Sequence, residues 1–309
     1  MKRINVAVNG FASTRRCPGN GPGQSRHACR DQPRETVGRR CISLDFWFFP
    51  VDFSPWGSTF NNPFLLRRFY IRPITVILQF KGATGMTRVD DAVLNGLAGF
   101  DSATVYNAVE KVQGVSNDDY TGPEIQYLTP EFGAVIGYAV TSEVTPLDAT
   151  PANMSWSDYY DVLNETPGPM IAVMKDVDTR PKRAALFGDG MAHIHRKLGV
   201  VGAVVEGCVR DLEGIRAAGL PIWGLGTVSG HGPFNVRAVG RPLVAGQLLV
   251  QTGDLLLADV DGVVKIPLDI AEDTLRKANE TRTWERSHFD MINSPEFTYE
   301  KWKNRESQA

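Results

Sequence analysis

Two short apolar runs limit what this chain can fold into. They are Met170-Ile171-Ala172-Val173-Met174 and Val200-Val201-Gly202-Ala203-Val204-Val205. Neither run alternates with polar residues, and each is too short for a buried helix, so both read as strands covered on both faces. Between them, Phe187 to Leu198 carries a helical pattern that stops at Gly199. Strand, helix and strand in that order predict a mixed α/β domain with a layered sheet core.

The flanking segments extend the pattern. Val89 to Ala98 and Ser102 to Val112 read as amphipathic helices, the second entered by Asp101 or Ser102 as its cap. Gly133 to Val144 is strand-like. Met154 to Leu163 reads as a helix closed before Pro167-Gly168-Pro169. Asp211 to Ala218 is a helix stopped by Gly219, and Pro221 to Gly224 a further strand. Leu248–Val250, Leu255–Leu257 and Val263–Ile266 supply late strands around turns at Gly253-Asp254 and Asp261-Gly262, before a polar helix from Leu268 to about Ile292.

Charge divides the chain. Residues 1–85 hold 13 Lys and Arg against 4 Asp and Glu, whereas the whole chain is nearly neutral at −2. That segment mixes Gly/Pro/Arg-rich stretches with the aromatic burst Phe46-Trp47-Phe48-Phe49 and keeps no periodicity. A transit peptide or a basic nucleic-acid arm would share its charge. The expectation adopted is that translation begins at Met86, with 1–85 a non-native or disordered extension, 86–292 the catalytic domain and 293–309 a tail. Cys17, Cys29 and Cys41 match no zinc spacing, and Cys208 stands alone at a strand end, where burial argues against a nucleophile. No apolar run is long enough to span a bilayer. The expected location is the cytoplasm, with no membrane and no nucleic-acid partner.

Chemistry concentrates where the second apolar run ends. Asp189 opens the helix, and twenty residues separate it from Arg210-Asp211. A helix followed by a buried strand brings the two acids and the arginine to one rim. Mg²⁺ and Mn²⁺ keep several waters, so one or two carboxylates anchor them. Asp211 is placed to bind the ion directly and Asp189 through a water. Arg210 offers a fork for a carboxylate or enolate oxygen. Gly190-Met191-Ala192 presents free helix-start N–H groups to an anionic substrate. The same Arg-Asp pair also fits a surface ion pair or a helix cap.

Other motifs carry less. His193 and His195 point about 200° apart on a helix and do not share an ion readily. Gly224 to Gly230 looks like a nucleotide loop, but Pro233 follows and no helix opens there. Ser229 and His231 lack a third hydrolase partner, although Gly230-His231-Gly232 fits a pocket-lining loop. Asp259 and Asp261 fit turns better than a second metal site.

Residues from about 90 to 292 resemble the RraA-like family, which includes class II 4-hydroxy-4-methyl-2-oxoglutarate/4-carboxy-4-hydroxy-2-oxoadipate aldolases. The motifs are Gly137-Tyr138-Ala139-Val140-Thr141, Val204-Val205-Glu206-Gly207, Asp189 with Arg210-Asp211, and Gly253-Asp254 through Asp261-Gly262-Val263-Val264. The resemblance implies a three-layer β/β/α fold of the swivelling-domain type, assembled as homotrimers or homohexamers with sites at subunit interfaces. It implies Mg²⁺ or Mn²⁺ on Asp211, a water-mediated contact from Asp189, and Arg210 on the substrate. Glu285 is the candidate contribution from a neighbouring subunit. The implied reaction is retro-aldol cleavage of a 4-hydroxy-2-oxo acid to pyruvate through a metal-held enolate, with oxaloacetate decarboxylation as a side activity. The rival within the family is a regulator that binds and inhibits an RNA-degrading endonuclease. Glu206 and Gly190 depart from the family pattern, which has Asp at the first position and a larger apolar residue at the second, and the C-terminal ending is also unusual. These departures bear on the substrate.

Overall fold

The computed structural model describes residues 87–149 and 151–306, all within one compact unit, Ile74–Ala309. The expected boundary at Met86 and the first three cysteines lie outside the described residues.

The helices are α1 (Asp91–Leu97), α2 (Ser102–Gln113), α3 (Trp156–Glu165), α4 (Asp189–Lys197), α5 (Leu212–Ala218), α6 (Ala271–Ile292) and α7 (Tyr299–Glu306). The early strands are β1 (Gln126–Tyr127), β2 (Val135–Thr145), β3 (Met170–Asp176), β4 (Ala185–Phe187), β5 (Val200–Glu206), β6 (Cys208–Val209) and β7 (Ile222–Gly224). The later ones are β8 (Asn235–Val239), β9 (Leu243–Ala245), β10 (Leu248–Val250), β11 (Leu255–Asp259) and β12 (Gly262–Ile266).

The two apolar runs are β3 and β5, neighbours in the main sheet of order β1-β7-β5-β3-β2-β11-β12, with β8 also on β2. The strands from β2 to β7 in that order run parallel, while β11 and β8 meet β2 antiparallel. Period-2 alternation divides the side chains between two faces. Met170, Ala172 and Met174 of β3 face α3, α4 and α5, through Tyr159, Leu163, Met191, Ala192 and Ile215. Ile171 and Val173 face the β9–β10 hairpin, through Leu243, Ala245, Leu248 and Val250. α1, α2 and α6 cover Ile136, Tyr138, Leu255, Leu257 and Val264 on the helical side. The result is hairpin, sheet and helices: the β/β/α layering expected.

Several elements differ from the sequence reading. Phe187 ends β4 and the helix begins at Asp189. Leu248–Val250 pairs with β9 and stays out of the main sheet. β1, β4, β6, β8 and β9, none longer than five residues, have too few residues to register a period. The tail holds α7, and Trp302 Nε1 donates to His288 Nε2 on α6 (3.3 Å). Asp101 is the cap of α2, accepting from Thr104 N–H. Asp259 and Asp261 are structural as expected: Asp259 accepts from Ser102 N–H and Oγ–H (both 2.6 Å) and from Asp261 N–H. Among the described residues, no helix is long and apolar enough to cross a membrane.

His193 is exposed and His195 buried, as their opposed directions require. His195 Nδ1 sits 2.7 Å from the Met191 carbonyl, so it donates, and Nε2 accepts the Tyr159 hydroxyl at 2.8 Å. Burial pulls the His195 pKa down from 6.5 to about 4 and pushes the Tyr159 phenol up. The folded state therefore keeps His195 neutral where the unfolded chain protonates it. This contribution is intact above pH 6.5 and is lost as pH falls toward 4, at about 1.4 kcal/mol per unit. Urea unfolding across that window should show wild type losing stability more steeply than His195→Gln. Parallel profiles would contradict the assignment.

Candidate active site

The site lies past the C-terminal ends of β5 and β6, the edge at which ligands bind in open parallel sheets. β4 and β6 pair in parallel, Phe187 with Val209. The Arg210 N–H then donates to the Phe187 carbonyl at 2.9 Å. That bond sets the exits of the two strands side by side. One exit continues through Gly188 into α4, whose first residue is Asp189, and the other through Arg210-Asp211 into α5. The start of α4 at Asp189 and the Arg210-Asp211 pair ahead of α5, separated by twenty residues of sequence, thus stand at neighbouring strand exits.

The helices approach closely because two positions carry no side chain. A Cβ on Gly214 of α5 would lie 2.5 Å from Asp189 Cβ and 2.7 Å from its Oδ2. A Cβ on Gly188 would lie 3.4 Å from Asp211 Oδ2 and 3.6 Å from Arg210 Nε. Neither glycine was singled out from sequence. Gly214 did carry a signal, since a glycine inside a helix costs about 1 kcal/mol relative to alanine and calls for a packing reason.

Asp211 caps α5 from the left-handed region (φ 58°, ψ 42°), without a hydrogen bond from its side chain to the helix. A non-glycine residue there carries strain of about 1–2 kcal/mol. In exchange the carboxylate points away from the helix start and toward Arg210, whose Nε lies 3.0 Å from Asp211 Oδ2. The surface ion pair left open by the sequence is therefore present. With the side chains 37% and 43% exposed, it is weak.

The helix-start reading is corrected at two of its three residues. Ala192 N–H is spent on the Gly188 carbonyl (3.1 Å), because the fourth helical residue already bonds inside the helix, and its side chain is buried. Asp189 Oδ1 accepts the Gly190 N–H at 2.7 Å. Met191 is buried against the core. The Gly190 N–H is thus spent as well, and an anion at this end would stand next to the Asp189 carboxylate.

The loop after β7 flanks the rim. Val209 N–H donates to Gly226 O, Val228 N–H to Val209 O and Ala185 N–H to Gly230 O. This places Gly226–Gly230 along the strands that carry Arg210, and no helix follows it, so the nucleotide-loop reading fails. His231 is exposed and donates through Nδ1 to Gly232 O. Cys208 is buried, its thiol pushed up by burial, as a strand end predicts. Glu206 accepts the Gly246 N–H at 2.6 Å and so fastens the β9–β10 turn. Glu285 lies on α6, which packs on α1 and α2 over another part of the sheet; within one chain it is not among the groups that the strand exits bring together.

The donor set suits a hard cation. Among the described residues no group of three or more His, Cys, Asp or Glu gathers to hold a metal. Two exposed carboxylates fit Mg²⁺ or Mn²⁺, which keep waters and take one or two protein oxygens, better than zinc, which takes three or four ligands of nitrogen or sulfur.

Similar proteins agree with this architecture. A protein of Halalkalibacterium halodurans, named "Putative 4-hydroxy-4-methyl-2-oxoglutarate aldolase", is 34% identical over 117 residues, which are 37% of this chain and 54% of that protein. An Arabidopsis thaliana protein named for the same activity in the same qualified form is 35% identical over 88 residues, 26% of this chain and 50% of its own length. The chain thus spans about half the length of these relatives. Among solved structures, Streptomyces coelicolor RraAS2, described as an unusual member of the RNase ES inhibitor RraA protein family, superposes with a TM-score of 0.54 at 26% identity. It covers 65% of this chain and 96% of its own. An uncharacterised Pseudomonas syringae protein gives 0.59 at 24%, covering 71% and 96%, and shares the fold. The family model described as Aldolase/RraA matches residues 102–265, more than half of the chain and all of the rim from Asp189 to Asp211, and the chain belongs to the RraA-like family.

Proposed function

We propose that this chain is a divalent-metal-dependent lyase that cleaves a 4-hydroxy-2-oxo acid by a retro-aldol reaction to pyruvate. The observation that supports the reading is the pairing of Arg210 with Asp211 at the start of α5, next to the strand exit from which α4 opens with Asp189. The aldolase names of the relatives support the reaction class.

Asp211 would hold Mg²⁺ or Mn²⁺ directly and Asp189 through a water. When bound there, the ion would supply Lewis acidity to the 2-oxo acid. Asp189 is the proton acceptor, drawing the C4 hydroxyl proton through an intervening water. As that proton leaves, the C4 oxygen becomes a carbonyl, the C3–C4 bond breaks, and its electron pair passes to C3 and the C2 oxygen. Arg210 offers its guanidinium to the negative charge growing on that oxygen, where a donor counts most. Protonation at C3 releases pyruvate. Oxaloacetate losing CO₂ passes through the same enolate, so decarboxylation belongs to the same site. Assembly as a homotrimer or homohexamer, with Glu285 of a neighbour at the rim, is part of the proposal.

A second reading has a specific support: the solved relative RraAS2 is described within a family of RNase ES inhibitors. In that reading the chain binds an endonuclease and the rim is inherited.

Pyruvate release from oxaloacetate and from a 4-hydroxy-2-oxo acid should appear with Mg²⁺ or Mn²⁺ and vanish with EDTA. A folded, metal-supplied protein releasing none, while slowing an endonuclease, would favour the second reading. Arg210→Ala should lower kcat/KM about 10²–10³-fold with the assembly unchanged, and activity within twofold of wild type would remove Arg210 from the chemistry. Gly214→Ala should displace Asp189 and cost about tenfold or more, since small misplacements of a reacting group are expensive; unchanged activity would show that Asp189 is not needed where it stands.

A further inference from the structure

Arg210 and Asp211 are assigned separate tasks, yet they occupy each other. Nε of Arg210 lies 3.0 Å from Oδ2 of Asp211, the carboxylate proposed to hold the cation. A cation on that oxygen would sit beside a permanently positive guanidinium, and the two repel. The backbone leaves one way out. Asp211 is held by its left-handed conformation and by Ile215 N–H donating to its carbonyl, and the Arg210 main chain by its bond to Phe187. A side chain must therefore turn for the pair to part, and the long Arg210 stem has the more torsions with which to do so. It adjoins the space left by Gly188, and its two Nη groups make no other hydrogen bond among the described residues.

We infer that Arg210 is an internal counter-ion for Asp211 that competes with the divalent cation, so that cation binding frees the guanidinium to face the anionic substrate. The inference rests on the metal reading above and goes beyond it, because it makes the cation and the anionic substrate favour one another through one side chain. An exposed pair gives way readily, so Arg210 tunes cation affinity without closing the site. Coupling is reciprocal, so an anion that draws Arg210 away also strengthens cation binding.

The test uses Mn²⁺ alone, titrated into the full chain, with free Mn²⁺ read by electron paramagnetic resonance. Arg210→Met keeps the bulk of the stem and removes the counter-ion, and should bind Mn²⁺ about three- to fivefold more tightly than wild type. Arg216→Gln removes a charge on the same helix that pairs with Glu131 (2.7 Å), away from Asp211, and should leave the affinity unchanged. Equal or weaker binding in Arg210→Met overturns the inference. Equal tightening in both variants overturns it too, because loss of positive charge in general would then account for the effect. No Mn²⁺ binding in wild type or Arg210→Met, or full binding in Asp211→Asn, marks failure of the metal reading instead.

Discussion

One backbone hydrogen bond, from Arg210 N–H to the Phe187 carbonyl, holds the account together. It joins the ends of two very short strands, each of which leads straight into a helix. Together with the β4–β6 pairing and the contact of α4 with α5, it fixes the relation between Asp189 and Asp211. With it, the exits lie side by side and the helix starts meet. The glycines at 188 and 214 then let the side chains approach as closely as the backbones do. The site is a consequence of how two strands end.

What could be read from sequence follows how many residues each feature spreads over. β3 and β5 were legible because five or six consecutive apolar residues have no other compact use. The α3 and α6 helices were legible within a few residues because ten or more residues let a helical period accumulate. β4 and β6 were not, since pairs and triplets have no period, and Phe187 was absorbed into the following helix. The rim was legible in composition: Asp189, Arg210 and Asp211 stood at the ends of recognisable elements. Its geometry was not. The left-handed turn at Asp211 and the contact across Gly188 arise from tertiary packing, and nothing in the local residues requires them. The same limit explains Ala192, whose N–H is counted as free until the start of α4 is fixed at Asp189.

The molecule divides rigidity and exposure along α4. Its far end is fastened in the core, where His195 bridges Tyr159 and the Met191 carbonyl. Its first turn stands open, with Asp189 and Gly190 exposed. A buried anchor two turns from an exposed carboxylate holds the direction of the helix while leaving its start free to meet ligand. α5 is held by its buried Ile215 and, more weakly, by the exposed Arg216 on Glu131 and on the Leu128 carbonyl. The strained Asp211 sits between these anchors, where the surrounding structure can hold a conformation that a loose loop would abandon.

Asp189, Arg210 and Asp211 are proposed to form one site for a divalent cation and a small anionic substrate. The most direct measurement is the anomalous scattering of Mn²⁺ in crystals of the full chain. A peak about 2 Å from an Asp211 carboxylate oxygen is expected, with Arg210 turned away from Asp211. Mn²⁺ bound elsewhere, or an Asp211 still paired to Arg210 in saturating Mn²⁺, would contradict it.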